Sequence, residues 1–284
     1  MGMMQFARYH TGDAPRWGVI TDGAITPAAA LEAPVTYERL ATPGFTARVT
    51  QRLASTAAEA TPLSAVQLCA PVPRPGKIIC VGLNYHDHAA EQDKEPPERP
   101  LLFTKSPTAV IGPDDAVIRP DAIAQLDYEA ELAVVIGRTA RDVSAAAATE
   151  YIAGYTALND ISGRDAQFGD GQFFRGKSYD TFAPMGPTLV PTTALDPGAL
   201  AVSSTVNGEQ RQASTTAELI FDVPTLIAYI SAITTLEPGD VISTGTPGGV
   251  GVHRDPPGLL EPGDTVAVTV EGVGTLRNRV IAAE

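Results

Sequence analysis

The stretch Asp127-Tyr-Glu-Ala-Glu-Leu-Ala-Val-Val-Ile136 sets both the fold class and the chemistry of this chain. Its period of two places Tyr128, Ala130, Leu132, Val134 and Ile136 on one face of a strand and Asp127, Glu129 and Glu131 on the other. On a half-exposed strand such acids are simply solvated. Here Ala133 and Val135 carry the acidic face onward into apolar side chains, so the pattern predicts that this face is buried too. Two carboxylates ~7 Å apart on a buried face repel each other unless a cation lies between them. Asp160, at the end of the next extended segment, adds a third acid. Three oxygen donors with no cysteine or paired histidine beside them suit Mg2+ or Mn2+, with coordination positions left for water and substrate.

Outward from that strand the pattern stays extended. Lys77–Leu83, Leu101–Lys105 and Tyr155–Ile161 are short apolar runs between turn residues, and Asn207-Gly208 marks a tight hairpin. The chain closes with strands over Asp240–Thr244, Thr265–Glu271 and Thr275–Ile281. Helices are predicted from Ser144 through Ala153, stopped by Gly154, and over Val223–Thr234, capped by Asp222. The first ~70 residues read as a hairpin of Gln5–Tyr9 and Trp17–Ile20, with Ile25 beyond it, followed by helical patterning over Tyr37–Ala41 and Thr46–Ala60. Ala70-Pro-Val-Pro-Arg-Pro-Gly76 is an extended connector, and the division falls there: a small α+β unit over 1–70 and a larger one over 71–284. Long helices are scarce, so the class is α+β, dominated by β-structure.

The 284 residues include 26 Gly and 24 Pro, about 18% together, which indicates a turn-rich globular fold rather than low-complexity disorder. A net charge of −13 opposes phosphate backbones and anionic lipid, so neither nucleic acid nor membrane is an expected partner. The same charge disfavours a small acidic substrate unless a local positive centre reverses the field. Cys69 and Cys80 are too few for a disulfide framework or a thiolate zinc site. With neither a membrane-spanning run nor a signal-peptide pattern, a cytoplasmic location is expected.

Several motifs compete for the chemistry. Gly171-Gln-Phe-Phe-Arg-Gly-Lys-Ser178 fits the phosphate-loop expression but lacks the strand before it and the helix after it. Thr244-Gly-Thr-Pro-Gly-Gly-Val-Gly251 fails the dinucleotide spacing and reads instead as a loop that brings backbone close to a ligand. His86 and His88 form an H-x-H pair, which ligates zinc only if both stay on one strand face. A helical turn through Asp87–Gln92 would instead join His88 to Glu91, an imidazole oriented by a carboxylate for proton abstraction; an exposed loop with an incidental pair fits the spacing equally well. Lys177 is one of only four lysines and sits among Gly176 and aromatic residues.

Taken together, Val81-Gly-Leu-Asn-Tyr-His-Asp-His-Ala-Ala-Glu91, Asp127–Leu132, Asn159-Asp-Ile-Ser-Gly-Arg-Asp-Ala-Gln167, Gly176–Pro187, Val206-Asn-Gly-Glu209 and the Thr244–Gly251 loop resemble the fumarylacetoacetate hydrolase family over about residues 72–281. The resemblance implies a mixed β-sandwich roll, assembled as a homodimer, with one Mg2+ or Mn2+ per subunit. It assigns the metal to Glu129, Glu131 and Asp160, the water-activating dyad to His88 and Glu91, and the lysine beside the metal to Lys177. Arg164, Gln167, Thr246 and Tyr85 are the expected substrate contacts, His86 borders the site, and the Asp93–Arg99 segment faces the substrate's distal group. The implied reaction is hydrolysis of the C–C bond of a 2,4-diketo acid of the acylpyruvate or fumarylpyruvate type, leaving an acid and the enolate of pyruvate. Decarboxylation of oxaloacetate or another β-keto acid, isomerisation of a 2-oxo dienoic acid, and a noncatalytic metal-binding role are the alternatives.

Overall fold

A computed structural model describes residues 3–12, 14–31, 34–56 and 58–283. Ala130–Ile136 is the strand on which the molecule is built, and every residue in it is buried. Its antiparallel neighbours are Ile152–Asn159 on one side and Val241–Ser243 on the other, the latter leading in parallel to Ile78–Gly82 and then antiparallel to Leu101–Lys105. In the opposite direction the sheet passes through Ala183–Val190 to Gln5–His10, Arg16–Thr21 and Ala24–Pro27. A five-stranded sheet, ordered Glu209–Thr215, Ala201–Val206, Thr265–Val270, Gly274–Ala282 and Ala116–Arg119, packs on the first to complete the roll.

The two faces of the central strand serve two cores. Ala130, Leu132, Val134 and Ile136 pack with Val202, Val268 and Val270 of the second sheet and with Leu226, Ile227 and Ile230 of the Val223–Ile233 helix. Ala133 and Val135 pack with Phe6, Val19, Leu40, Phe45 and Val49 from the first 70 residues. The buried acidic face read from the sequence is therefore real: it is roofed by the N-terminal elements at Ala133 and Val135 and ends at the carboxylates. Asp127 departs from that face. The strand is interrupted at Tyr128 and Glu129, so Asp127 belongs to the short strand Leu126–Asp127, paired with Ser162–Gly163.

The Asn207-Gly208 turn closes the expected hairpin with both residues at positive φ, and Asp222 caps its helix by accepting from the Thr225 N–H at 2.9 Å. The helix expected over Thr46–Ala60 spans Phe45–Ser55; Ala57 lies outside the described residues. The Ser144–Ala153 helix is corrected to a short 3-10 stretch, Ala145–Tyr151, with the strand already under way at Ile152. Gly154 is no helix stop. It sits within the strand because a Cβ there would meet the Val190 carbonyl oxygen at 2.5 Å. No helix among the described residues is long and apolar enough to cross a membrane.

Candidate active site

The register of the central pair assembles the acids. Ala130 lies opposite Asn159, and the Asp160 N–H bonds the Glu129 carbonyl at 2.9 Å, so Asp160 lands beside the two glutamates. One carboxylate oxygen from each of Glu129, Glu131 and Asp160 lies within 4.8 Å of the others, all three buried, the only such group among the described residues that could hold a metal ion. Asn159 Oδ1 accepts the Glu129 N–H at 3.0 Å, while the Ser243 hydroxyl and the Gly245 N–H, the latter at 2.9 Å, donate to Glu131 Oε2.

Lysines enter from two sides. Lys177 Nζ reaches Glu129 at 2.8 Å and Asp160 at 2.9 Å, and Lys105 Nζ donates to Asp160 Oδ1 at 2.5 Å and to the Ile161 carbonyl at 3.0 Å. The spurious phosphate loop is thereby explained: Phe174–Lys177 is one turn of helix that follows another helix and turns its lysine inward onto carboxylates. Lys105 was read only as the end of an apolar strand. The signal that could have found it is scarcity, because a lysine in such a strand is one of four in the chain.

Charge is unevenly balanced across the triad. Burial acts to raise the Glu129 carboxyl, but Lys177 and Arg164 outweigh it and hold it down at about 2. Glu131 has no cationic side chain in ion-pair range among the described residues, and burial, with Asp160 and Glu129 beside it, pushes it up to about 8. An all-oxygen donor set with one uncompensated carboxylate fits a hard divalent cation.

Arg164 forms the wall next to the acids. Its Nε donates to Asp127 Oδ2 and its Nη1 to Gln167 Oε1, each at 2.9 Å. Its Nη2 stands 2.7 Å from Glu129 Oε1 but makes no aligned hydrogen bond, which leaves a buried donor available at the site. Asp127 in turn accepts the N–H groups of Gly251 and Val252 at 2.7 and 3.0 Å, a structural anchor that the strand period alone places on the face of the two glutamates.

His86–Glu91 is a helix, and it answers the question the spacing left open. His88 Nδ1 and Glu91 Oε1 are 2.5 Å apart, while His86 is exposed and does not line the cavity that His88 faces. Glu91 Oε2 accepts the Gly249 N–H at 2.7 Å, and the Gly248 N–H meets Asp87 at 3.2 Å. The Gly-rich loop therefore grips Glu131, Asp87, Glu91 and Asp127 through its own backbone amides. Gly245 is required there on two counts, a φ of +104° and an Asn84 Cβ that a side chain would meet at 2.8 Å.

These groups line a cavity of about 130 Å3 whose wall includes His88, Glu129, Glu131, Arg164, Gln167, Lys177 and Thr246. The Thr246 hydroxyl is committed to the frame, donating to the Ala130 carbonyl at 3.0 Å and accepting from Gln212 at 2.8 Å. Tyr85 is not in the wall. It precedes the dyad helix in an extended conformation that sends its ring wholly into the core, where burial raises its phenol far above the ordinary range. Gln92, Lys94 and His253, unassigned in the sequence, do line the cavity, and the His253 ring lies 6.3 Å from that of His88.

Residues 77–281 match the family described as fumarylacetoacetate (FAA) hydrolase C-terminal. The protein named oxaloacetate tautomerase YisK of Bacillus subtilis is 48% identical over 223 residues, 77% of this chain and 74% of that protein. The fumarylacetoacetate hydrolase from psychrophilic Exiguobacterium antarcticum superposes with a TM-score of 0.87 at 40% identity, covering 99% of this chain and all of the other. The 5-carboxymethyl-2-hydroxymuconate delta-isomerase from Mycobacterium smegmatis superposes with a TM-score of 0.80 at 39% identity over the same shares.

Proposed function

Because the chain belongs to the fumarylacetoacetate hydrolase family, we propose that its site takes a small 2-oxo acid and moves a proton at the carbon beside the keto group, the keto–enol exchange for which its Bacillus subtilis relative is named. The observation that carries this reading is a proton-accepting histidine on the wall of a cavity of only about 130 Å3 that also holds the triad. Sites for drug-sized ligands occupy ~300–1,000 Å3, so this one favours an acid of three or four carbons over a long acyl chain. Glu129, Glu131 and Asp160 would hold one divalent cation, Mg2+ or Mn2+, per subunit, and such a cation would supply Lewis-acid stabilisation of the charge that enolisation places on the keto oxygen.

The chain's own groups do the rest. His88 holds its Nδ1 proton toward Glu91, which leaves Nε2 to take the proton from carbon on enolisation, the enol oxygen gaining its proton from water, and to give one to carbon in the reverse direction. Glu91, fixed by the Gly249 N–H, offsets the charge that develops on the imidazole. Arg164, whose Nη2 stands beside Glu129 without an aligned hydrogen bond, offers that N–H to the substrate carboxylate, and Gln167 holds the guanidinium in place. Leu83, Leu101, Phe103 and Phe173 cover the mouth with apolar surface and keep water from competing for the proton.

Hydrolysis of an acylpyruvate is the second reading, favoured by the same Nε2 acceptor. There His88 would deprotonate a water that adds to the distal carbonyl, and the C–C bond would break with its electron pair left on the pyruvate carbon. Purified protein supplied with Mg2+ or Mn2+ separates the readings: oxaloacetate enol absorbance, CO2, and pyruvate released from acetylpyruvate are followed independently. His88→Ala is expected to slow enolisation by ~10²–10⁴-fold while leaving Mn2+ affinity intact. Unchanged turnover in that variant would remove the dyad from the reaction. The homodimer implied by the resemblance belongs to the same proposal, and a solution mass of 29.6 kDa by light scattering would reject it.

A further inference from the structure

The dyad helix ends in a way that sets a second residue upon its base. Asp93 takes a left-handed φ of +52°, the Asp93 N–H bonds the Ala90 carbonyl at 3.1 Å, and the Lys94 N–H bonds the Ala89 carbonyl at 3.0 Å. This paired closure folds the chain back over the last turn. Lys94 Nζ consequently reaches Gln92 Oε1 at 2.8 Å, and Gln92 Nε2 lies 3.0 Å from His88 Nε2. An ammonium only donates, so the Gln92 oxygen must face Lys94 and its amide N–H must face the histidine. His88 Nε2 is therefore the acceptor, its lone pair occupied by Gln92, while Nδ1 carries the proton given to Glu91.

Lys94 also differs from the other cations of the cavity. Lys177 and Arg164 are ion-paired to buried carboxylates, whereas Lys94 is exposed and, among the described residues, has no carboxylate in ion-pair range. It stands at the head of a chain Lys94–Gln92–His88–Glu91 that ends on the Gly249 N–H.

We propose that Lys94 selects substrates bearing a second carboxylate, and that it does so by releasing Gln92 from His88. This rests on the reading of the cavity as a 2-oxo acid site. A carboxylate at the mouth competes for Lys94 as a full ion pair, whereas the Gln92 oxygen offers the ammonium only a neutral acceptor. Gln92 then loses its anchor, and Nε2 turns from the amide to the substrate. A monocarboxylate binds without exerting that pull and meets a base that is still covered. Lys94 is thus a specificity residue, and Gln92 a positioning residue that acts through His88.

The test uses Mg2+-loaded protein with malate and lactate, a non-reacting pair that differs by one carboxylate. By calorimetry, malate is expected to bind at least ~10-fold more tightly than lactate. Lys94→Ala should bring that ratio to near one, with Lys94→Arg restoring most of it. In 15N spectra of the imidazole, malate should shift His88 Nε2 and lactate should not. Gln92→Leu should produce the shift without ligand and should accelerate deuterium exchange at the methyl group of pyruvate. Equal binding of the two acids by the unmodified protein, a malate preference that survives Lys94→Ala, or pyruvate exchange unaltered in Gln92→Leu would each overturn the inference alone. Failure of the unmodified protein to bind either acid would overturn the site reading and the inference with it.

Discussion

Glu131 is the residue on which metal binding and stability pull in opposite directions. Its carboxyl is buried against two other acids, with only the Ser243 hydroxyl and the Gly245 amide to support a negative charge, and is pushed up to about 8. A carboxyl raised in the folded state contributes stability that is complete below its unfolded value and lost as pH rises through the folded one. Metal-free protein should therefore melt at progressively lower temperature between about pH 4.5 and about pH 8, and saturating Mn2+ should remove the decline, as scanning calorimetry with and without chelator would reveal. Glu131→Gln should raise the melting temperature of the metal-free protein near neutral pH while abolishing the Mn2+-dependent increment. A variant less stable than the metal-free parent would show that Glu131 is already compensated without a cation.

Among the elements, the Ile152–Asn159 strand is held to its neighbour by the absence of a side chain. Gly154→Ala would drive a methyl group into the Val190 carbonyl, and the cost should be ~1–3 kcal/mol in urea unfolding, with little effect on metal affinity. The sequence pointed to a different role for this glycine because Ala145–Ala148 before it has high helix propensity; the demand of the central sheet for a long partner strand overrides that local preference. The Glu129–Glu131 pair was legible because period-two spacing puts both on one strand face, whereas the three-residue step from His88 to Glu91 fitted a helical turn and an exposed loop equally well until the family resemblance chose between them. Asp127 was placed on the wrong face because alternation says nothing of the interruption of the strand at Tyr128–Glu129, which leaves the Asp127 carboxylate to serve a turn over 120 residues away. Lys105 and the Lys94–Gln92 pair were missed because each acts through a fold-back or a cross-strand contact that leaves no periodic trace.

For the molecule as a whole, the connector at residues 70–76 does not leave two independent cores. Phe6 pairs with Leu189 in the large sheet, and Phe6, Val19, Phe45 and Val49 cover Val135, Leu158, Met185 and Leu189. A chain trimmed to 71–284 would expose that face, and it is expected to aggregate or to melt well below the full-length protein; a soluble, metal-binding fragment of unchanged melting temperature would contradict this. The charge of −13 is equally a property of the whole that the site offsets locally, since Lys105, Lys177 and Arg164 match the three acids gathered there, and a divalent cation on those acids would tip the balance positive.

The loop from Thr244 to Gly251 has a consequence for how such a site can change. Its grip on Glu131, Glu91 and Asp127 is made by peptide N–H groups, which no side-chain substitution short of proline deletes. The acid cluster and the base are therefore fastened to one inheritable frame, indifferent to drift in the residues around it. What remains free to vary is the lip supplied by the segment after Glu91. Changes there can retune the cover over His88 while the acid cluster stays in place, which gives a physical reason why a tautomerase, a hydrolase and an isomerase can share this architecture.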